Sequence, residues 1–190
     1  MHKTIQQAGD IAIMPIDLVE FTSKGKLLII ASSEQIAAVS PHLSGLDLYL
    51  TTIPPQNIKG WLGEFKVQLD EETIDVDLIL DLSADAVMKT KVLPLGYFAP
   101  ADNAQALAEA LQQLPELIGS FDKPRYFDYK ADICAHSRRQ LSGCDQCITA
   151  CPAEAIISDG DGVKVNPSLC QGCGSCTAVC PSGAMSYALP

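Results

Sequence analysis

The residues with the clearest chemistry in this 190-residue chain are its eight cysteines, all of which lie after position 133. Four of them form the pattern C-x2-C-x2-C-x3-C followed by proline, and these are Cys170, Cys173, Cys176 and Cys180. The others form C-x9-C-x2-C-x3-C, again followed by proline, and these are Cys134, Cys144, Cys147 and Cys151. Thiolate sulfur is the ligand type that iron–sulfur clusters require. The two runs therefore predict two clusters and a protein that transfers electrons.

The two cysteine runs are copies of one unit. Their last three cysteines correspond at an offset of 29 residues, as do the prolines that follow them. Cys134 breaks the repeat, because it lies seven residues before the position that the offset predicts. The extra residues form a loop that contains His136, Arg138 and Arg139. Between the runs, Ile156–Val165 has short β-type segments around Asp-Gly pairs, which predicts a hairpin.

On these motifs, residues 131–190 resemble a bacterial dicluster 2[4Fe–4S] ferredoxin-type domain with a loop insertion in its first motif. The resemblance implies a ferredoxin-like α+β fold, two [4Fe–4S] clusters and one-electron transfer. In this family the fourth cysteine of each run ligates the cluster of the other run. The implied ligands of cluster I are Cys134, Cys144, Cys147 and Cys180. The implied ligands of cluster II are Cys170, Cys173, Cys176 and Cys151.

Other interpretations of the cysteines compete with this one. Disulfides are typical of small secreted chains, which carry export signals. Zinc bound by the two C-x2-C pairs would leave four cysteines and both Cys-Pro pairs unexplained. A [3Fe–4S] or labile cluster I follows if Cys134 does not reach the iron. His136 could ligate or tune cluster I, although a loop histidine is more often exposed to solvent.

The first 120 residues predict an acidic α/β domain, either Rossmann-like or a small βαβ sheet. Lys26–Ala31 is apolar enough for a buried strand, and Ser32 or Ser33 can cap a helix that runs to about Leu43. Leu46–Thr52 alternates between apolar and polar residues as a strand does. No glycine-rich phosphate-binding motif follows the first strand, so a structural scaffold is favoured over a nucleotide site.

Later elements of this region are predicted from their periodicity. Gly63–Leu69 and Ile74–Leu82 are strand candidates on either side of an acidic turn, which predicts a hairpin. Asn103–Ile118 has helical spacing, with a break expected at Pro115. Residues 121–130 are predicted to be a linker whose aromatic side chains pack between the two halves.

The net charge of −10 at pH 7 argues against nucleic-acid binding and favours docking on a basic patch of a redox partner. Arg138 and Arg139 either steer that partner, offset the cluster charge or form a solvated loop. The N-terminus lacks the apolar centre of a signal peptide and no apolar run is long enough for an integral membrane segment, which predicts a cytoplasmic protein.

The sequence resembles a second group of proteins through its α/β half followed by C-A-H-S-R-R and G-C-D-Q-C, namely the iron–sulfur proteins that accompany bacterial formate dehydrogenases. This resemblance implies formate dehydrogenase as a partner. The leading hypothesis is an electron carrier or subunit without a substrate site of its own. The alternatives are an oxidoreductase with a cryptic flavin or nucleotide site in residues 1–120, and an iron–sulfur assembly or regulatory adaptor.

Overall fold

The computed structural model describes residues 16–136 and 143–188. The helices, numbered in chain order, are α1 (Ser33–Val39), α2 (Ala104–Gln113), α3 (Gln146–Ala150) and α4 (Ser175–Val179). The strands of the first half are β1 (Leu18–Ser23), β2 (Lys26–Ile30), β3 (Asp47–Thr51), β4 (Asn57–Lys59), β5 (Phe65–Leu69), β6 (Glu72–Val76), β7 (Leu78–Asp81) and β8 (Tyr97–Phe98). The later strands are β9 (Gly119–Pro124), β10 (Phe127–Tyr129), β11 (Ile156–Asp159), β12 (Gly162–Val165) and β13 (Met185–Tyr187). None of the helices in the described part of the chain combines the length and the apolar character that crossing a bilayer requires.

A four-stranded parallel sheet, in the order β3–β2–β7–β8, forms the centre of the N-terminal region. Strand β2 confirms the buried strand that the sequence predicts, because four of its five residues are fully buried. The Ser32 hydroxyl accepts a hydrogen bond from the Gln35 N–H, and the Gln35 side chain accepts one from the Ser32 N–H. This capping box starts α1, so β2, α1 and β3 form a βαβ unit. The mixed, strand-rich character is confirmed, whereas the Rossmann-like interpretation stays a prediction.

A three-stranded antiparallel sheet, in the order β4–β5–β6, is inserted between β3 and β7. The hairpin predicted at the acidic turn is confirmed by the pairing of β5 with β6. The single strand predicted over Ile74–Leu82 is wrong, because the chain leaves this sheet after Val76 and enters the parallel sheet at Leu78. Asp77 lies at the break, and its carboxylate accepts hydrogen bonds from Lys24 N–H at 2.7 Å and Lys26 N–H at 3.0 Å.

The predicted helix over Asn103–Ile118 is confirmed, together with its break. The Asn103 side chain caps α2 by accepting hydrogen bonds from two backbone N–H groups. The α-helix ends at Gln113, and Leu114–Leu117 continues as a 3-10 turn. Pro115 has no N–H to donate to the preceding turn, so the helix cannot continue through it.

The segment predicted as a linker, 121–130, consists mostly of paired strands. Strand β9 pairs antiparallel with β1, and β10 pairs antiparallel with β13 near the C-terminus. Its backbone groups therefore join the first described strand of the chain to the last. Of its aromatic side chains, Phe127 is buried in the C-terminal core beside cysteines and Phe121 packs against the N-terminal core, while packing between the two halves stays a prediction. The division of the chain at 120 and 131 stays a prediction.

The C-terminal region repeats one small unit. The helices α3 and α4 begin and end 29 residues apart and pack against each other. The predicted hairpin over Ile156–Val165 is confirmed by β11 and β12. The core of the C-terminal region includes Phe127, Ile156, Val163 and Met185. It also includes the buried or partly buried side chains of Cys147, Cys151, Cys170, Cys176 and Cys180. Sulfur therefore fills positions that aliphatic side chains fill in an ordinary core.

Candidate metal centre

None of the eight cysteines forms a disulfide, and the repeat places the last three of each run at equivalent points of its two copies. In each copy one cysteine lies just before the short helix, one lies in its first turn and one follows its last residue. Cys151 and Cys180, the cysteines that follow the two helices, have similar extended backbone angles. In each copy, the cysteine within the helix and the cysteine after it contribute to the core of the C-terminal region.

Four of the thiols lie in one electrostatic neighbourhood, which we call group I: Cys134, Cys144, Cys147 and Cys180. Burial raises the pKa of the Cys147 thiol, and the negative charges of the other three members raise it further. Group I thus contains three cysteines of the upstream run and the last cysteine of the downstream run. Cys134 and Cys147 are its buried members.

The remaining thiols form a second neighbourhood, which we call group II: Cys151, Cys170, Cys173 and Cys176. Burial raises the pKa of Cys170 and of Cys176. The charges of Cys151 and Cys173 act on Cys170, and those of Cys170 and Cys151 act on Cys176. All four side chains line one small cavity of about 20 Å³. Cys173 is the exposed member, and its hydrogen bond with the Ser175 hydroxyl, 3.4 Å away, lowers its pKa.

The composition of the two groups fits paired cubane clusters. A cubane takes four thiolates, each on a different iron, and each group supplies four. Within the described residues, no three His, Cys, Asp or Glu side chains converge closely enough to chelate a single metal ion. A cubane does not need that convergence, because its ligands bind separate corners of one larger object. The assignment of each cysteine to a cluster nevertheless stays a prediction.

Backbone N–H groups point at the sulfur atoms in both copies. The Ala155 N–H donates to Cys151 Sγ at 3.3 Å, and the Met185 N–H donates to Cys180 Sγ at 3.4 Å. Hydrogen bonds to thiolate sulfur stabilise its negative charge and are one of the means by which a protein sets a cluster's potential.

Cys134, the cysteine that departs from the repeat, is held by its own set of contacts. It follows a 3-10 turn over Ala131–Ile133, and its side chain is buried. Burial raises the pKa of the Tyr129 hydroxyl, and a hydrogen bond to Cys134 raises it further. The same hydroxyl accepts a hydrogen bond from the Val163 N–H at 3.1 Å. A β-carbon at Gly162 would lie 2.6 Å from this oxygen, so glycine leaves room for it.

His136 differs from its expected exposure, since it is 9% exposed. Its Nδ1 lies 2.8 Å from the Cys144 carbonyl oxygen, and its Nε2 lies 2.7 Å from the Ser158 hydroxyl. With Nδ1 protonated, the ring donates to the carbonyl and accepts from the hydroxyl, so both nitrogens are engaged. His136 therefore acts in this structure as a tie between the cysteine loop and β11. Arg138 and Arg139 lie outside the described residues.

Two tyrosines enclose the loop between Cys170 and Cys173. Gly172 has φ +70°, and a β-carbon there would lie 2.8–3.0 Å from the Tyr126 ring. Tyr187 stacks near Tyr126, with ring centroids 6.4 Å apart, and donates a hydrogen bond to the Gly172 carbonyl at 3.1 Å. The aromatic segment that the sequence assigns to packing thus shields one face of group II.

Lys123, which the sequence does not single out, reaches group II from strand β9. Its Nζ donates to the carbonyl oxygens of Ser168 at 2.7 Å and Cys170 at 2.8 Å. Burial lowers the pKa of its ammonium group, and the negative charge of Cys170 opposes that shift. A single lysine in a segment predicted to be a linker gives no signal in the sequence, because the strand pairing that directs it is nonlocal.

Comparisons with known proteins find similarity to iron–sulfur proteins. The family described as "4Fe-4S dicluster domain" matches residues 142–184. Hydrogenase-4 component A of Escherichia coli (strain K12) is 48% identical over 40 residues, which are 21% of this chain and 20% of that protein. An uncharacterized ferredoxin of Methanocaldococcus jannaschii is 44% identical over 43 residues, which are 22% of this chain and 69% of that protein. A 7Fe ferredoxin of Hydrogenibacillus schlegelii is 38% identical over 41 residues, which are 22% of this chain and 53% of that protein.

Proposed function

Because the chain belongs to the ferredoxins through its 4Fe-4S dicluster domain, we propose that it holds two [4Fe–4S] clusters and relays single electrons to or from a redox enzyme. The observation that carries the proposal is the division of eight thiols into two groups of four. Each group takes three cysteines from one run and one from the other. That is the division expected of cross-ligated clusters.

In the proposed assignment group I holds cluster I and group II holds cluster II. Cys134, Cys144, Cys147 and Cys180 would each bind one iron of the first cluster. Cys170, Cys173, Cys176 and Cys151 would do so for the second. When bound, the clusters supply reversible one-electron storage without a proton or a bond change.

The residues around the sulfur atoms have three tasks in this proposal. The backbone N–H groups of Ala155 and Met185 stabilise thiolate charge. The rings of Tyr126 and Tyr187 limit water access to group II, while Cys173 leaves one corner exposed for exchange with a partner. The acidic N-terminal region, residues 1–120, serves as a docking or structural module, and the paired strands of 121–130 connect it to the cysteine domain of 131–190.

The partner in this proposal is a redox enzyme with a basic docking patch. The similarity to a hydrogenase component favours a hydrogenase-type partner over the formate dehydrogenase that the second sequence resemblance implies. Opposite charges on the two surfaces would make the association weaken as salt is added. Location in the cytoplasm is part of the proposal and rests on the sequence prediction.

The direct test is anaerobic iron and sulfide analysis of the full chain, combined with electron paramagnetic resonance (EPR) after titration with dithionite. We expect about eight iron and about eight sulfide per chain and two reversible one-electron couples. His42→Ala, a change at an exposed residue away from the thiols, should leave the iron content unchanged. Zinc in place of iron, or iron without a reversible couple, would contradict the proposal. A flavin absorbance band would instead favour the oxidoreductase alternative.

A [3Fe–4S] cluster in group I is the second candidate, because one relative is named a 7Fe ferredoxin and Cys134 departs from the repeat. That arrangement would give about seven iron per chain and an EPR signal in the oxidised protein. Cys134→Ala distinguishes the two candidates. It should lower the iron content by one or more atoms if Cys134 is a ligand, and should leave it unchanged if the cysteine is not.

A further inference from the structure

Lys123 lies on β9, in the two-stranded sheet with β1, and its side chain reaches the loop that contains Cys170. The register of β9 against β1 pairs it with Val19 and so fixes its position. Its Nζ reaches the carbonyl oxygens of Ser168 and Cys170 and lies 5.0 Å from the centre of the Phe21 ring. Carbonyl oxygens and an aromatic face both favour a positive charge at this point.

The charge of Lys123 is not cancelled by its contacts. Among residues 16–136 and 143–188, Lys123 contacts carbonyl oxygens and an aromatic ring. The two ion pairs within these residues, Lys89–Asp85 and Arg125–Asp17, do not involve Lys123. Lys123 is half-buried, and its ammonium group interacts electrostatically with Cys170, a member of group II. Screening by water and salt is therefore weaker than it would be for an exposed lysine.

We propose that Lys123 raises the reduction potential of the cluster bound by group II relative to that of the cluster bound by group I. This inference rests on the proposed function, since it requires a cluster in each group. One electron from a donor protein changes the total charge of a cluster and its four thiolates from about −2 to about −3, with no proton and no bond change. A nearby positive charge stabilises the more negative state more strongly, so it favours reduction of that site.

Group I has a different neighbour. Its Cys134 interacts with the Tyr129 hydroxyl, whose raised pKa keeps it neutral. A neutral hydroxyl contributes a dipole but no net charge, whereas Lys123 contributes a full positive charge. Among the described residues, Lys123 therefore adds a positive charge beside group II that favours reduction of that site.

The test compares three changes at Lys123 in the full chain by redox titration followed by EPR. Lys123→Met removes the charge, Lys123→Gln removes the charge but keeps a hydrogen-bond donor, and Lys123→Arg keeps the charge. Arg125→Met is the matched control, because Arg125 also lies over an aromatic ring and is ion-paired with Asp17. The couple of group II is identified as the one that changes in Cys173→Ser.

We expect Lys123→Met and Lys123→Gln to weaken one-electron reduction of group II by about tenfold, or about 59 mV, and to leave group I within a small fraction of that shift. Lys123→Arg and Arg125→Met should retain both potentials. If Lys123→Met fails to fold, the Gln and Arg variants decide the question.

An unchanged group II couple in folded Lys123→Gln, or an equal shift of both couples, would overturn the inference. The proposed function fails separately, if the unmodified chain has no reversible couple.

Discussion

Two glycines of one cysteine loop offer a matched test of how tightly the chain encloses group II. Gly172 and Gly174 lie on either side of Cys173 with φ +70° and +72°. A β-carbon at Gly172 would lie 2.8 Å from Cγ, 2.9 Å from Cδ1 and 3.0 Å from Cδ2 of Tyr126. A β-carbon at Gly174 has nothing within 4 Å. Substitution by alanine therefore adds the same backbone strain at both positions but a steric clash at only one.

The two costs can be separated. Alanine in the left-handed region costs roughly 1–2 kcal/mol at either position. The Cγ atom is next to the tyrosine backbone, so it cannot move away as the tip of a flexible side chain could. Overpacking of this kind costs typically about 1–3 kcal/mol. We expect Gly172→Ala to be less stable than Gly174→Ala by that second amount.

The measurement is the rate at which visible cluster absorbance is lost in the presence of an iron chelator under anaerobic conditions. If the strain is released when the loop opens, Gly172→Ala should lose absorbance roughly five- to hundredfold faster than Gly174→Ala. Adding Tyr126→Ala should bring the two rates together, because the clash requires both side chains. Equal rates for the two glycine variants would refute the argument that Tyr126 packs on this loop.

Three further outcomes are expected. Tyr129→Phe should lower the reduction potential of the group I couple and leave that of group II unchanged, because Cys134 loses a hydrogen-bond donor. Redox titration measures both potentials, and a shift of group II alone would contradict this. His136→Ala should speed iron loss from group I, because His136 links the Cys144 carbonyl to Ser158 through two hydrogen bonds. The control His42→Ala should not speed it, and equal rates for the two variants would show that the hydrogen bonds are not needed. Removal of iron should abolish hydrogen-exchange protection in β11–β13 and leave it in β2 and β7, because only the C-terminal core contains cysteine side chains. Protection that persists in β11–β13 as well would argue against coupling of metal binding and folding.

Local signals in the sequence predicted the elements that local chemistry determines. The β2 strand, the serine cap of α1, the break at Pro115 and the two hairpins all depend on residues a few positions apart. The 4Fe-4S character of the cysteine runs was equally accessible, because thiolate spacing is set within each short loop.

Nonlocal pairing accounts for what sequence analysis missed. The register of β9 on β1 joins residues about a hundred positions apart, and nothing in either segment marks the partner. The linker prediction therefore overlooked two strands, and with them Lys123. The exposure of His136 was predicted from its loop position, but its two hydrogen bonds reach β11 and the next cysteine. The break at Asp77 arises because its carboxylate binds the turn before β2, far away in the sequence.

The cysteine repeat by itself predicts two equivalent sites, and the rest of the chain removes that equivalence. In the part of the chain that the structure describes, Tyr129 and His136 are neighbours of group I from its own region. Group II takes its cation from a strand whose position depends on β1. Two cysteine sets of the same composition differ in potential only if their surroundings differ. The two-stranded sheet of β1 and β9 can therefore influence electron flow, because it holds one charge beside one of the two sites.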